Sequence, residues 1–404
     1  MLPSSNKKMK INLVYHLFRI LEYLPLHPIS NTAIKKPINM KLRIDYKHFI
    51  LTALAVFSFS ISFAGDHSHP DEEKSYNPVP VILEHILDSH EWHLITTTDE
   101  HGHDHHVSVP LPVILIDGGL KVFMSNKFEH DHDNPHKYKA EVDGKTYYID
   151  KHDESGMPKG ENIYFIENDE KVYPFDFSIT KNVLSLFVGA LLIFFIVMKI
   201  AKHYKTNGAV APKGIASFLE PIILLVRDDI AKQNISKYKY EKFMPYLLTI
   251  FFFIWLNNML GLIPIIPGGA NLTGNISVTL VLACMTLIMI LLNGNKHYWE
   301  HVLWMPGVPA AVKIILTPIE IIGIFTKPFA LMVRLFANIT AGHIVVLSLV
   351  SLVFIFKNMA MGAVSVPFTL FISVLELLVA FLQAYVFTML SALFIGAAVE
   401  EAHH

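Results

Sequence analysis

Two apolar stretches toward the C-terminal end, residues 309–356 and 366–399, constrain this chain more than any other feature. A hydrocarbon layer about 30 Å thick needs about 20 helical residues to cross it. Both stretches exceed that length, so each is expected to cross a membrane as a long, tilted helix. Shorter apolar runs precede them at Asn182–Met198, at Phe243–Leu262 (closed by Pro264) and at Ser277–Asn293. The segment Gly214–Ala231 has apolar residues at helical spacing but too many charges to cross, and reads as a helix lying along the membrane surface. Hydrophobic residues make up 52% of the 404 and charged ones only 17%, which excludes an ordinary soluble protein. The expected fold is an all-α polytopic membrane bundle of about five spanning helices, two of them long and tilted, plus a surface helix. A small N-terminal extramembrane β-containing domain precedes it.

The charge is concentrated before residue 175 and in the stretch 200–242. The first 39 residues are basic and poorly patterned, and read as an over-extended translation start. Met40 opens a second pattern. Lys41, Arg43 and Lys47 form a positive segment, Phe49–Phe63 an apolar core, and Ser62-Phe63-Ala64 puts small residues where a signal peptidase reads, before Gly65. Residues 40–64 are therefore expected to be a cleavable signal peptide. The alternative is an uncleaved anchor, for which the apolar core is short.

Residues 65–176 read as an exported, histidine-rich domain, and residues 177–404 as the membrane domain. Alternation at Val107–Ile116 and Tyr138–Ile149, the latter with an Asp143-Gly144 turn, points to β-structure. Histidines gather at His85, His90 and His93, at His101, His103, His105 and His106, and at His130, His132 and His136. Imidazole is a common metal ligand, but no spacing here defines a closed site, and the clusters read as solvated loops rather than a metal centre. The lone Cys284 excludes an intrachain disulfide. The net charge of −2 identifies no partner.

Orientation follows from lysine. Residues 199–242 hold many Lys and Arg, whereas Ile265–Ile276 holds none. The first loop is expected to be cytoplasmic and the second external. The exported domain then lies outside and the C-terminus inside, as the signal peptide also requires.

Ionisable residues inside membrane helices are costly and mark function. The first long stretch holds Glu320, Lys327, Arg334, Asn338 and His343; the second holds Glu376 and Gln383. A guanidinium keeps its proton at any useful pH, so Arg334 is a fixed positive charge in a low-dielectric layer. Asn338 shares its face one turn away. Glu320 lies fourteen residues earlier, close to four turns and about 21 Å along the axis. His343 lies nine residues later and is turned to roughly the opposite side. Glu376 and Gln383, seven apart, share one face. Two facing helices with separate polar patches and a fixed cation between them look like a proton path interrupted at its middle. Lys327 is placed to snorkel or to cap a helix break expected before Pro328.

The run Lys327 to His343, KPFALMVRLFANITAGH, resembles the signature of subunit a of F-type ATP synthases, and its core Arg-Leu-Phe-x-Asn-x-x-Ala-Gly is highly specific. Pro318-Ile-Glu320, Leu382–Phe387, Asn257-Asn258-Met259 with Gly261–Pro264, Asn275–Leu280 and Phe218–Asp228 resemble further parts of that family. Together they cover roughly residues 177–401. Some bacterial members are similar in carrying an exported His-rich extension. Two departures stand out. His343 and Glu376 occupy places where many bacterial members have Glu and His, an exchange that a contacting pair tolerates because both partners carry protons. Ala337 replaces a common glycine.

The resemblance implies a proton channel of two offset half-channels in the bacterial inner membrane, coupled to rotation of a ring of carboxylate-bearing c subunits and held by a b-type stator subunit. Asn258, His343 and Glu376 would line the external half-channel and Glu320 the cytoplasmic one. Arg334 would keep the passing carboxylate ionised and block leakage, steadied by a hydrogen bond that it donates to Gln383. The implied partners are these subunits and the lipid bilayer, with no nucleic acid. No cofactor, metal or catalytic residue is expected, and the Gly-x-x-x-x-Gly-Lys-Ser/Thr phosphate loop does not occur. The rival reading is a secondary metal-ion transporter fed by a His-rich metal-collecting domain, which calls for paired ligands and inverted repeats that the sequence does not display.

Sequencing the N-terminus of the mature protein is expected to give Gly65; a start well before it would rule out cleavage.

Overall fold

In the computed structural model, the described residues are 76–98, 104–131, 134–153, 155, 157–207, 214–236, 239–263, 269–356 and 359–400. The over-extended start and the signal peptide expected at 1–39 and 40–64 lie outside them, as do the side chains of most histidines in the three clusters.

The N-terminal β-containing domain, called the outer domain for the side it is expected to occupy, begins with α1 (Val79–Ile86) and a hairpin of β1 (Glu91–Thr98) and β2 (Asp104–Pro110). Two antiparallel sheets follow. One has the order β10 (Phe175–Asp176), β3 (Pro112–Ile116), β4 (Leu120–Met124); the other is a meander of β5 (Glu129–Asp131), β6 (Asn134–Val142), β7 (Lys145–Asp150), β8 (Ile163–Glu167) and β9 (Glu170–Val172). The β6–β7 hairpin turns on Asp143 and Gly144, with φ of 52° and 76°, so the expected turn forms with both residues in the left-handed region. Val113, Leu115 and Phe123 of the first sheet pack against Ala140, Val142, Tyr147 and Ile149 of the second, giving a small sandwich core.

Two reciprocal caps fasten this domain to the first membrane helix, α2 (Lys181–Asn207). The buried Lys181 ammonium donates to the carbonyl oxygens of Glu84 (3.3 Å) and His85 (3.4 Å) in the last turn of α1. Asp88 accepts from the Asn182 backbone N–H (3.1 Å) and from the Thr180 hydroxyl (2.8 Å) at the start of α2. Beside this joint His90, 4% exposed, bonds Glu161 through its backbone N–H (2.7 Å) and Nδ1 (2.9 Å), with Nε2 3.4 Å from Asp176. Burial opposes a charge on His90, but its hydrogen bonds to Asp176 and Glu161 and their negative charge raise it to about 9. Burial would raise the Glu161 carboxyl; the His90 hydrogen bonds and the Lys151 charge hold it below the usual range.

Among the described residues, five helices are long and apolar enough to cross a bilayer: α2, α4 (Tyr240–Leu262), α5 (Ile276–Asn293), α7 (Ala310–Phe356) and α8 (Met359–Val399). Between α2 and α4 lies α3 (Ile215–Leu225), running into a π-helical turn at Val226–Ala231. This is the expected surface helix, with Val226, Ile230 and Ala231 fully buried and Phe218 exposed. A short α6 (Lys296–Trp304) precedes α7. Central to the bundle is α4, whose Phe243, Leu247, Phe251 and Ile254 are buried. Against it α8 turns Ala380, Ala384, Phe387, Ala392 and Ile395, a helical stripe whose small residues admit close approach. A hydroxyl relay, Tyr246 to Thr286 (2.9 Å) to Ser391 (3.2 Å), ties α4, α5 and α8 across the apolar interior.

Because His90 is raised above its ordinary 6.5, its stabilisation is complete below pH 6.5 and is lost as the pH rises through about 9. Outer-domain protection from hydrogen exchange in the reconstituted protein should therefore weaken between those pH values. His90→Ala should cost about 3–5 kcal/mol by leaving Glu161 buried without its cation; a flat pH profile with an unaffected variant would refute the assignment.

Candidate functional site

On α7 the buried stripe Ile324, Pro328, Leu331, Leu335, Ile339 and His343 faces the bundle. Arg334 sits on the opposite, exposed side, level with the middle of the helix. It is flanked there by Ala330, Ala337 and Ala341, also exposed, so that the surface around the guanidinium is lined by small side chains. A cleft of about 370 Å³ opens beside it, bounded by Thr326, Lys327, Ala330 and Leu331 of α7 and by Leu390 and Phe394 of α8. Lys327 Nζ reaches 5.8 Å from the centre of the Phe394 ring. Among the described residues no carboxylate lies within ion-pair distance of Arg334.

Asn338 donates from Nδ2 to Gln383 Oε1 at 2.9 Å, joining α7 to α8 one turn beyond Arg334. The expected bond between Arg334 and Gln383 is thus replaced: the Gln383 oxygen is taken by Asn338, and its buried Nε2 has no partner among the described residues. Any steadying of Arg334 by Gln383 then acts through the shared face of Asn338.

Nearer the start of α8 the two exchanged residues meet. His343 Nδ1 and Glu376 Oε1 are 3.6 Å apart, and both side chains are buried. Room for the carboxylate comes from Gly342, where a Cβ would lie 2.7 Å from Glu376 Oε1 and 3.1 Å from its Cδ. On its other side His343 Nε2 faces Gly261 of α4. Asn258, on α4 and buried, donates to the Ala380 carbonyl oxygen (3.4 Å), one turn from Glu376, and accepts from the Thr273 hydroxyl. Asn258, His343 and Glu376 therefore form one polar patch where α4, α7 and α8 converge.

Glu320 stands apart. It is half-buried at the other end of α7, and its negative charge adds to burial in raising the phenol of Tyr298 on α6. The helix break expected before Pro328 does not form: the helix between Glu320 and Arg334 is continuous through it, preserving the separation of about 21 Å expected from spacing.

Several polar residues escaped the sequence reading. Thr273 becomes a partner of Asn258 only because the Leu272–Gly274 turn folds back over α4. Asn182 and Ser185 of α2 and Asn257 of α4 are buried, each with an oxygen that lacks a partner among the described residues. The i, i+3 spacing of Asn182 and Ser185 inside an apolar run was the available signal.

Comparison with known proteins gives two matches along the chain. A family described as ATP synthase A chain matches residues 183–396, and a domain of unknown function (DUF8433) matches residues 81–177. Similar proteins include an ATP synthase subunit a of Chloroherpeton thalassium, 45% identical over 269 residues that cover 65% of this chain and 78% of the relative. One from Chlorobium phaeobacteroides is 49% identical, covering 57% and 68%. Another from Myxococcus xanthus is 44% identical, covering 57% and 75%.

Gly342→Ala should push the Glu376 carboxylate away from His343 and slow proton transport in inverted vesicles about tenfold at matched protein level. An unchanged rate would mean that the spacing of this pair is not needed.

Proposed function

The chain belongs to the ATP synthase A chain family, and from that premise we propose how its own residues move protons through the membrane sector of an F-type ATP synthase. The observation that carries the reading is Arg334: a permanent cation at mid-helix, exposed among alanines, with no carboxylate of its own chain in reach among the described residues. A guanidinium so placed in hydrocarbon costs several kcal/mol unless another molecule supplies an anion. The partner of matching chemistry is the carboxylate of a c-ring helix, which the small flanking residues let approach closely.

Protons reach this carboxylate through the patch of Asn258, His343 and Glu376. Imidazole and carboxylate in one buried contact can pass a proton between them, because each stabilises the charged form of the other. The loaded, neutral carboxylate moves away from Arg334 into lipid at no cost in charge burial. After nearly a full turn it returns from the other side, meets the cleft of Thr326 and Lys327, and is ionised again by Arg334, releasing its proton toward Glu320 and the aqueous phase beyond. Arg334 separates the two routes: a proton crossing directly would have to pass a fixed positive charge. The Asn338–Gln383 bond holds the α7–α8 surface on which the guanidinium stands. With the Lys-rich loop inside, the route through Asn258 opens to the periplasm and Glu320 to the cytoplasm. Residues 65–176 are then a periplasmic domain preceded by a cleaved leader, and the stator partner is a b-type subunit. Each proton falling through 100 mV releases about 2.3 kcal/mol, so several are needed per ATP.

Arg334→Ala should abolish ATP-driven proton pumping in vesicles while leaving the complex assembled. Undiminished pumping at matched assembly would remove the centre of this reading.

A further inference from the structure

The two sheets of the outer domain turn very different faces away from their common core. On the five-stranded meander the outward residues include Lys139, Glu141, Tyr148 and Lys171, as expected of a sheet in water. The three-stranded sheet is the reverse. Its outward positions on β4 are Leu120, Val122 and Met124, 70%, 59% and 41% exposed. Their cross-strand partners on β3 are Ile116, Ile114 and Pro112. Beyond these, Phe175 pairs with Ile116, and Phe177 bonds from its N–H to the Ile114 carbonyl; the two rings are 76% and 62% exposed. Ile179, bonded to Pro112, completes the grid. No charged or polar side chain interrupts it, and the described residues of the chain leave it bare. Pro-Val-Ile-Leu-Ile of β3 is apolar at consecutive positions, the pattern of a strand covered on both faces. An apolar sheet face of this extent marks a contact surface.

We propose that this face is a membrane-docking surface, resting on the outer leaflet beside the first span. Two observations select lipid as the occupant. The segment of β10 and the residues after it that carries Phe175, Phe177 and Ile179 runs directly into α2, so the bare face continues toward the apolar surface of α2, where Phe187 and Leu191 are exposed. The Asp88 and Lys181 caps then fix the domain against the start of α2, leaving the face no freedom to turn toward water. An apolar surface lying in the headgroup and acyl boundary gains in proportion to the area it buries, in the manner of monotopic anchors. The domain is thereby an interfacial brace, adding a second attachment to the membrane outside the helical bundle. The inference is independent of the proton route.

The test uses the assembled complex in lipid vesicles, with Cys284→Ser as background and single cysteines Val122→Cys, Phe175→Cys or Glu141→Cys carrying an environment-sensitive fluorophore. Labels at 122 and 175 should emit at shorter wavelength and be quenched more by nitroxide-bearing phospholipid than by iodide, with the reverse at 141. Iodide quenching at 122 and 175 equal to that at 141 would overturn the proposal. Shielding of both positions from both quenchers would also overturn it, identifying a protein partner instead.

Discussion

A guanidinium that cannot discharge, set at the middle of a membrane helix, is the constraint around which the rest of this molecule is arranged. Being unable to give up its proton, Arg334 has to be left accessible to a counter-charge, which accounts for its exposure on α7 while His343 and Leu331 on the same helix are buried. The alanines beside it, the open cleft toward Lys327 and the lack, among the described residues, of an acid within ion-pair reach serve the same end. A salt bridge within the chain would satisfy the charge and remove its use. In the mechanism proposed above, proton translocation relies on that charge staying unsatisfied by its own subunit.

Elsewhere the chain follows the opposite rule and satisfies polar groups internally. Tyr246, Thr286 and Ser391 bond one another across three helices, and Asn295 donates to the Val399 carbonyl at the end of α8. Where the β-containing domain joins α2, Asp88 and Lys181 satisfy the ends of two helices on either side of the joint, so that neither helix terminus is left orphaned. The exceptions are informative. Among the described residues, buried polar atoms of Asn182, Ser185, Asn257, Asn271, Thr369, Glu376, Gln383 and Thr388 lack a partner within the chain, and buried groups of this kind are commonly satisfied by water.

Much of this was legible in the residues. Apolar length placed five spans, with α2 continuing to Asn207 beyond the apolar run because Lys199, Lys202 and Lys205 tolerate helix as long as their ammonium groups reach water. Spacing alone put Arg334 and His343 on opposite sides of α7, and the exchanged His343 and Glu376 do meet. The partner of Gln383 was not legible, because helical phase sets which face a side chain shares but not which of two donors, one turn apart, lies nearer across the interface. Thr273 depended on a loop folding back, which no periodicity encodes. The bare sheet face was hidden for a related reason: a run such as Pro-Val-Ile-Leu-Ile announces that both faces of a strand are covered, without saying that one cover lies outside the chain.

The length of α7 has a geometric consequence. Its 47 residues would measure about 70 Å, more than twice the thickness of the hydrocarbon layer. Held wholly within that layer, the helix would lean about 65° from the membrane normal. The separation of about 21 Å between Glu320 and Arg334 would then be spent mostly sideways, about 19 Å along the plane against about 9 Å in depth. Polar groups spaced along a single helix so become stations around the circumference of a neighbouring cylinder. A mirror-image lean would exchange their order, so the handedness with which α7 crosses the membrane sets the sense of rotation for a given direction of proton flow.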